Sequence, residues 1–228
     1  MKSQKVIIFD ASTLISIAMN GLYEEFKQLK KEFSGKFIIP QEVKKEVIEK
    51  PMTIKKFELE ALKINQLLKE KVIEMPESIG IEGGKIAKKT KKQLEVANSC
   101  FSSDKKNIHL IDLGETACLV LSKILDEKNI ENVVAVDERT TRNLIESPKE
   151  LKKFLEKKLH TKLTKNEKNL GWFKGIKIIR SSELVFMMWK KGIVKPKSKK
   201  TLDALLYAVQ YRGCSISREE IIDIKNSH

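Results

Sequence analysis

The chain predicts a three-layer α/β/α sandwich around a central, mainly parallel sheet, and three observations carry that prediction. Val6-Ile7-Ile8-Phe9 is apolar without alternation, the pattern of a strand buried on both faces. A second run of this kind, Val133-Val134-Ala135-Val136, lies far downstream. Between and beyond them, short strands alternate with segments of three-to-four apolar spacing, as in a sheet covered by helices.

The elements follow in order. Residues 11–33 carry Leu14, Ile15, Ala18, Leu22, Phe26 and Leu29 at helical spacing, and Gly21 divides them into two helices. Lys36-Phe37-Ile38-Ile39 reads as a second strand, and Pro40 suits the first turn of a helix through Val43, Glu46 and Val47 that Pro51 stops. A further amphipathic helix is expected over 53–70, and an edge strand at Val72-Ile73-Glu74-Met75. Gly80, Gly83 and Gly84 open a helix through Ile86, Ala87, Leu94 and Ala97. Asp112 starts another through Leu125, and after the strand at 133–136 a helix begins at Glu138. The lysine-rich stretch 148–170 reads as helical, Ile176-Lys177-Ile178-Ile179 as a strand, and 182–191, 198–211 and 217–225 as three helices. Ser217 and Glu220 have the spacing of a capping box. No repeat or linker divides the chain, so residues 1–228 are read as one domain, with a lysine-rich insertion at 147–172 and a helical extension at 196–228.

Composition narrows the function. The 228 residues are 41% hydrophobic and 33% charged, and no apolar run approaches the ~20 residues of a membrane span. The chain passes from Lys2 and Lys5 straight into a strand, without a signal-peptide pattern. Cys100, Cys118 and Cys214 form neither a disulfide framework nor a zinc motif, so a reducing cytoplasm is expected and no membrane partner. A net charge of +14 favours polyanions, nucleic acid first. The plainer explanation is a lysine-rich exterior; 40 lysines against 5 arginines argue against specific base reading.

The acids are the candidates for chemistry. Asp10 and Asp137 end the two apolar strands, Glu138 stands beside Asp137, and Glu46 and Glu115 lie in the first turns of helices. If the strands are parallel, all of these share the carboxyl edge of the sheet, where ligands of open α/β folds bind. Each has a plainer explanation. Acids suit the positive end of a helix dipole, and Asp112 with Glu115 fits a capping box. Asp10 resists this best, because Ser12 or Thr13 could cap the helix as well. Clustered carboxylates raise one another's pKa, and a hard divalent cation, Mg²⁺ or Mn²⁺, relieves them. His109, His160 and His228 lack metal-ligand spacing, which argues against zinc.

The same residues carry a resemblance. Strand–Asp10-Ala11-Ser12, Pro40-x-x-Val43-x-x-Glu46, Leu113-Gly114-Glu115 and Val136-Asp137-Glu138-x-x-x-Arg142 resemble the PIN-domain ribonucleases, in particular a prokaryotic subgroup with toxin-like members. Ser181-Ser182-Glu183-Leu184 through Lys191-Gly192-Ile193-Val194 is similar to that subgroup's segment after the last strand. The match runs from residue 6 to about 195, with 76–110 and 147–172 as less familiar insertions. The resemblance implies a metal-dependent endoribonuclease in which Asp10, Glu46, Glu115 and Asp137 are catalytic and Asp10, Glu115 and Asp137 bind Mg or Mn. Ser12 would steady Asp10, with Glu138 and Arg142 in support, Arg142 contacting phosphate or orienting an acid. It implies single-stranded RNA as substrate, a small antitoxin as a candidate partner, and a homodimer. Two departures matter: Glu138 stands where relatives often have Asp, and Ala117 where the subgroup often has an acid. They motivate an alternative, a weak or inactive RNA-binding or ribonucleoprotein factor.

Other motifs fall away. Asp10-Ala11-Ser12-Thr13 lacks the second Asp of haloacid-dehalogenase-like phosphotransferases, and Gly80–Lys85 lacks the spacing and following Ser/Thr of a phosphate loop. Trp172-Phe173 and Trp189 could stack on bases; for Phe186, Met187 and Trp189, burial against the core or a partner is the favoured reading.

Overall fold

Val6, Ile7, Ile8 and Phe9 are all buried, as a strand covered on both faces requires. They form β1 (Lys5–Phe9) of a computed structural model that describes residues 5–104 and 106–226. Helices α1 (Ala11–Met19) and α2 (Tyr23–Glu32) follow, separated at Gly21, whose φ of +70° suits glycine. β2 (Lys36–Ile38) pairs parallel with β1. Phe9, Phe26 and Phe37 pack ring against ring, with centroids 5.0–5.1 Å apart, fastening α2 to these two strands.

The helix after Pro40 is not uniform. α3 (Gln41–Lys44) passes into a wide π turn over Lys45–Glu49, where the Lys50 N–H donates to the Lys45 carbonyl at 2.9 Å. Pro51 then heads a 3₁₀ turn, and α4 starts only at Glu58 (Glu58–Lys69), later than the expected residue 53. The edge strand expected at 72–75 reduces to one parallel bridge, Ile38 to Glu74. α5 (Gly83–Ala97) leads to a hairpin of β3 (Phe101–Ser103) and β4 (Lys106–Asn107), then to α6 (Leu113–Glu127).

β5 (Glu131–Ala135) pairs parallel with β1, Phe9 opposite Ala135; it starts and ends earlier than the expected 133–136. α7 (Arg139–Glu146) and α8 (Pro148–Leu159) follow. The single helix expected over 148–170 is broken. α8 stops at His160, in the left-handed region, and β6 (Thr164–Lys165) and a short α9 (Glu167–Gly171) come next. β7 (Ile178–Ile179), shorter than expected, completes the main sheet, and α10 (Ser181–Lys190), α11 (Lys199–Tyr211) and α12 (Arg218–Asn226) end the described chain. Ser217 and Glu220 form the expected capping box, at 2.8 and 3.1 Å. Of the residues expected to bury against the core or a partner, Trp189 is buried in the core, whereas Met187 is 40% exposed.

The main sheet has the order β2-β1-β5-β7, all parallel, and the core wraps both of its faces. α6 packs on β1, β5 and α5; α10 packs on α1, α2, β7 and α11. The architecture is α/β and compatible with a layered sandwich. A second, antiparallel sheet, β4-β3-β6, was not expected. It joins the two unfamiliar stretches into one unit, since Phe101 pairs with Lys165 and Ser102 with both Thr164 and Asn107. Among the described residues no helix is long and apolar enough to cross a membrane, and all three cysteines are free and buried.

Candidate functional site

β1 and β5 stay in register as far as the first carboxylate, because the Asp10 N–H donates to the Ala135 carbonyl at 3.0 Å. Asp10 itself caps α1, a role Ser12 or Thr13 could have filled. Its Oδ2 accepts the Ser12 N–H at 3.1 Å and the Ser12 hydroxyl at 2.6 Å. The same Ser12 Oγ accepts the Asp137 N–H at 3.1 Å, so one hydroxyl ties both strand-end aspartates together. Asp137 Oδ1 accepts the Ser181 N–H at 2.7 Å, at the first turn of α10.

Each aspartate therefore has one oxygen fixed. The other, Asp10 Oδ1 and Asp137 Oδ2, is buried without a hydrogen-bond partner, and the residues are only 3% and 1% exposed. Burial pushes both carboxyls above the ordinary range. For Asp10 the Ser12 hydroxyl and N–H and the nearby Ala11 N–H dipole pull the other way and Asp137 adds to the rise; for Asp137 the Ser181 and Cys214 groups pull down and Glu183 adds to the rise.

The glutamates reach the same place from helices. Glu115 is pushed up to about 8, by burial first and then by Asp10. Its Oε2 accepts the Asp112 N–H at 2.9 Å, the reach-back expected of a capping box, and its Oε1 accepts the Thr141 hydroxyl of α7. Glu46 lies on the π turn, with its carboxylate over Gly114. A Cβ at residue 114 would stand 2.7 Å from Glu46 Oε2, so only glycine permits this approach to α6. Burial, then Asp10, then Asp112 raise the Glu46 pKa, and Lys50 opposes them. Beneath the site, the buried Cys118 thiol is pushed up by burial and then by Asp10, Glu115 and Glu46, in that order. Asp10, Glu46, Glu115 and Asp137 thus form one electrostatic neighbourhood with Asp10 at its hub.

Two supporting residues turn elsewhere. Glu138 is exposed and caps α7, its Oε2 accepting the Thr140 and Thr141 N–H groups. Arg142, expected to contact phosphate or orient an acid, makes no contact with the four clustered acids among the described residues. Its guanidinium donates to the Ser215 carbonyl and pairs with Glu146 at 3.3 Å. The reason is the C-terminal segment, which docks beside the site. Arg180 also donates to the Ser215 carbonyl, at 3.0 Å, and pairs with Glu183 and Glu220, while the Ser215 N–H donates to the Asp137 carbonyl at 3.1 Å.

Thr141 was missed from sequence, and Ser181 and Gly114, though part of the quoted motifs, were given no role in the site. Thr141 follows a helix-capping Glu138 by three residues, a spacing that places its hydroxyl on the first turn; Ser181 and Gly114 reach their partners only through the tertiary fold. Among the described residues, no three acid, histidine or cysteine side chains already form a ligand set. The donor set nonetheless fits a hard cation. Buried polar atoms are normally satisfied, and two orphaned carboxylate oxygens beside further protonation-prone acids suit oxygen-seeking Mg²⁺ or Mn²⁺. No protein-family model, curated protein or solved structure matches the chain.

Proposed function

We propose that this protein is a PIN-like, divalent-metal-dependent endoribonuclease that hydrolyses RNA phosphodiester bonds at the carboxyl edge of its parallel sheet. One observation carries the reading: Asp10 and Asp137, tied by one serine hydroxyl, each keep a buried oxygen with no partner. Asp10 and Asp137 would hold Mg²⁺ or Mn²⁺, with Glu115 as a further ligand. A bound cation of this kind lowers the pKa of water and offsets charge on a phosphodiester.

The remaining work falls to the chain itself. Ser12 fixes the orientation of Asp10 by donating to it, and fixes the Asp137 backbone by accepting from it. Without a cation, burial and then Asp10 push the Glu115 carboxyl up to about 8, so as a ligand it would give up its proton when the cation binds. Glu46, whose carboxylate makes no hydrogen bond among the described residues, is free to orient water. The test is RNA cleavage in Mn²⁺ by the wild type and Asp10→Asn. Loss of cleavage with an unchanged circular dichroism spectrum supports the reading; equal cleavage rejects it.

A second reading, an RNA-binding factor without turnover, is favoured by one observation. Both oxygens of Glu115 and one of Glu138 are spent on caps and on Thr141. RNA binding with no turnover in Mn²⁺ would select it.

A further inference from the structure

The positive charge of this molecule is concentrated. Residues 147–177 contain ten lysines and three glutamates, and α5 contains five lysines and one glutamate. These two segments, about a fifth of the chain, hold +11 of the net +14. A generally lysine-rich exterior would spread the charge; here the other four-fifths sums to only +3, although it includes a second dense run at 190–200 with six lysines and no acid.

The fold then brings the two segments together. β3 extends from the end of α5 and pairs with β6, which follows α8. The Asn166 N–H donates to the Cys100 carbonyl at 2.8 Å, and Asn169 Nδ2 to Ser99 Oγ at 2.8 Å. The joined unit flanks the acid cluster on two sides. Toward α6, Asn98 Oδ1 holds the Leu110 and Ile111 N–H groups at 2.6 and 3.1 Å, just before the capping box of Glu115. Toward α7, Arg139, next to Glu138, lies 4.8 Å from the ring of Phe154 in α8.

The lysines are available. On α5, Lys85, Lys88, Lys91 and Lys92 are exposed and form no ion pair among the described residues. On the other segment the same holds for Lys149, Lys157, Lys158, Lys162 and Lys168. Between them Ile86, Leu151 and Leu155 are buried in the core and Leu159 is exposed, and one exposed leucine at a helix end is less than the apolar face that a membrane-lying helix inserts. Lysine presents compact point charges suited to phosphates and not to bidentate base reading.

We propose that the α5 and 147–177 segments, stitched by the β4-β3-β6 sheet, form a docking platform for the RNA backbone that delivers the strand, without base preference, to the acid edge. This rests on the ribonuclease reading for its choice of polyanion, and the experiment separates the two. Binding of a fluorescein-labelled single-stranded RNA 20-mer is measured by anisotropy in EDTA across a salt series, so that cleavage plays no part. Lys88, Lys91 and Lys92→Ala, and separately Lys157, Lys158 and Lys162→Ala, should each weaken binding about tenfold at 0.1 M salt. Each should lower the slope of log affinity against log salt by about 2, the value for three lost phosphate contacts to a single strand. Lys195, Lys199 and Lys200→Ala, an equal charge loss in the turn before α11 and in its first two residues, test the separate basic run at 190–200 and should change affinity less than twofold. Equal weakening by all three triples would mean diffuse charge and overturn the platform. So would unchanged binding by the first two, no wild-type binding, or binding of phosphatidylserine vesicles in place of RNA. The expected binding pattern without cleavage in Mn²⁺ upholds the platform and removes the nuclease reading; cleavage with unaffected triples does the reverse.

Discussion

The strand-end aspartates and the helix-borne glutamates divide the acid edge into two kinds of carboxylate. Asp10 and Asp137 are almost wholly buried, each with one oxygen held and one unpartnered. Glu115, in the first turn of α6, spends its oxygens on the Asp112 N–H and the Thr141 hydroxyl of α7, and Glu138 spends one on capping α7, while Glu46 makes no hydrogen bond among the described residues. Each aspartate therefore serves the fold with one oxygen, capping α1 or holding the start of α10, and keeps the other buried and unused, while Glu115 has spent both. Unsatisfied buried acid costs stability, so its presence marks the aspartates as the centre of whatever the site does.

The sharpest way to break this contrast is to remove the charge from either aspartate. Asp10→Asn and Asp137→Asn should each lower Mn²⁺-stimulated RNA cleavage by about 10²–10⁴-fold. Neither should lower the melting temperature in EDTA, because each deletes a charge that burial already disfavours. Ser12→Ala, which cuts the tie between them, should weaken Mn²⁺ binding by about 10–100-fold in calorimetry, the cost of losing a residue that orients ligands. Thr141→Val, which only frees Glu115 Oε1, should have a much smaller effect on the same titration. Gly114→Ala tests the glutamate side: the new Cβ displaces the Glu46 carboxylate and should reduce cleavage several-fold. Stability should hold or rise by up to about 1 kcal/mol, since alanine is the better helix former.

The smallest effect is on melting temperature with pH. Glu115 has a folded-state pKa of about 8 against an ordinary value of 4.5, and Asp10, Glu46 and Asp137 shift the same way. Below pH 4.5 both folded and unfolded Glu115 are protonated, and its contribution is fully present. As pH rises toward 8 the unfolded state ionises first, so the folded state loses relative stability. In EDTA the melting temperature should fall by a few degrees from pH 5 to pH 8, and Glu115→Gln should flatten that fall. Saturating Mn²⁺ should flatten it as well, by favouring the ionised acids.

What was legible in the sequence follows the same division. An apolar run that stops at a carboxylate is a local pattern, and it located Asp10 and Asp137 at parallel strand ends. The Asp112–Glu115 and Ser217–Glu220 boxes are also local, and their reach-back hydrogen bonds form as the spacing predicts. The small sheet was not legible. Its strands are two or three residues long, with no alternation to betray them, and Thr164-Lys165 lies inside the lysine-rich stretch 148–170 that reads as helical. The tie from Arg142 to the Ser215 carbonyl, 73 residues away, was not legible either, since a backbone acceptor has no sequence signature.

The π turn at Lys45–Glu49 holds a lesson of another kind. Nothing in Lys-Glu-Val-Ile-Glu distinguishes it from an ordinary helix, yet it contains one residue more than the α pitch would use. Removing a residue there would rotate everything after it by about 100° relative to what precedes it. Either Glu46 would leave Gly114 or Val47 and Ile48 would leave the core. A scan of point substitutions would not reveal this dependence, because every replacement preserves the count. At this place in the molecule, chain length rather than side-chain identity decides where a carboxylate points.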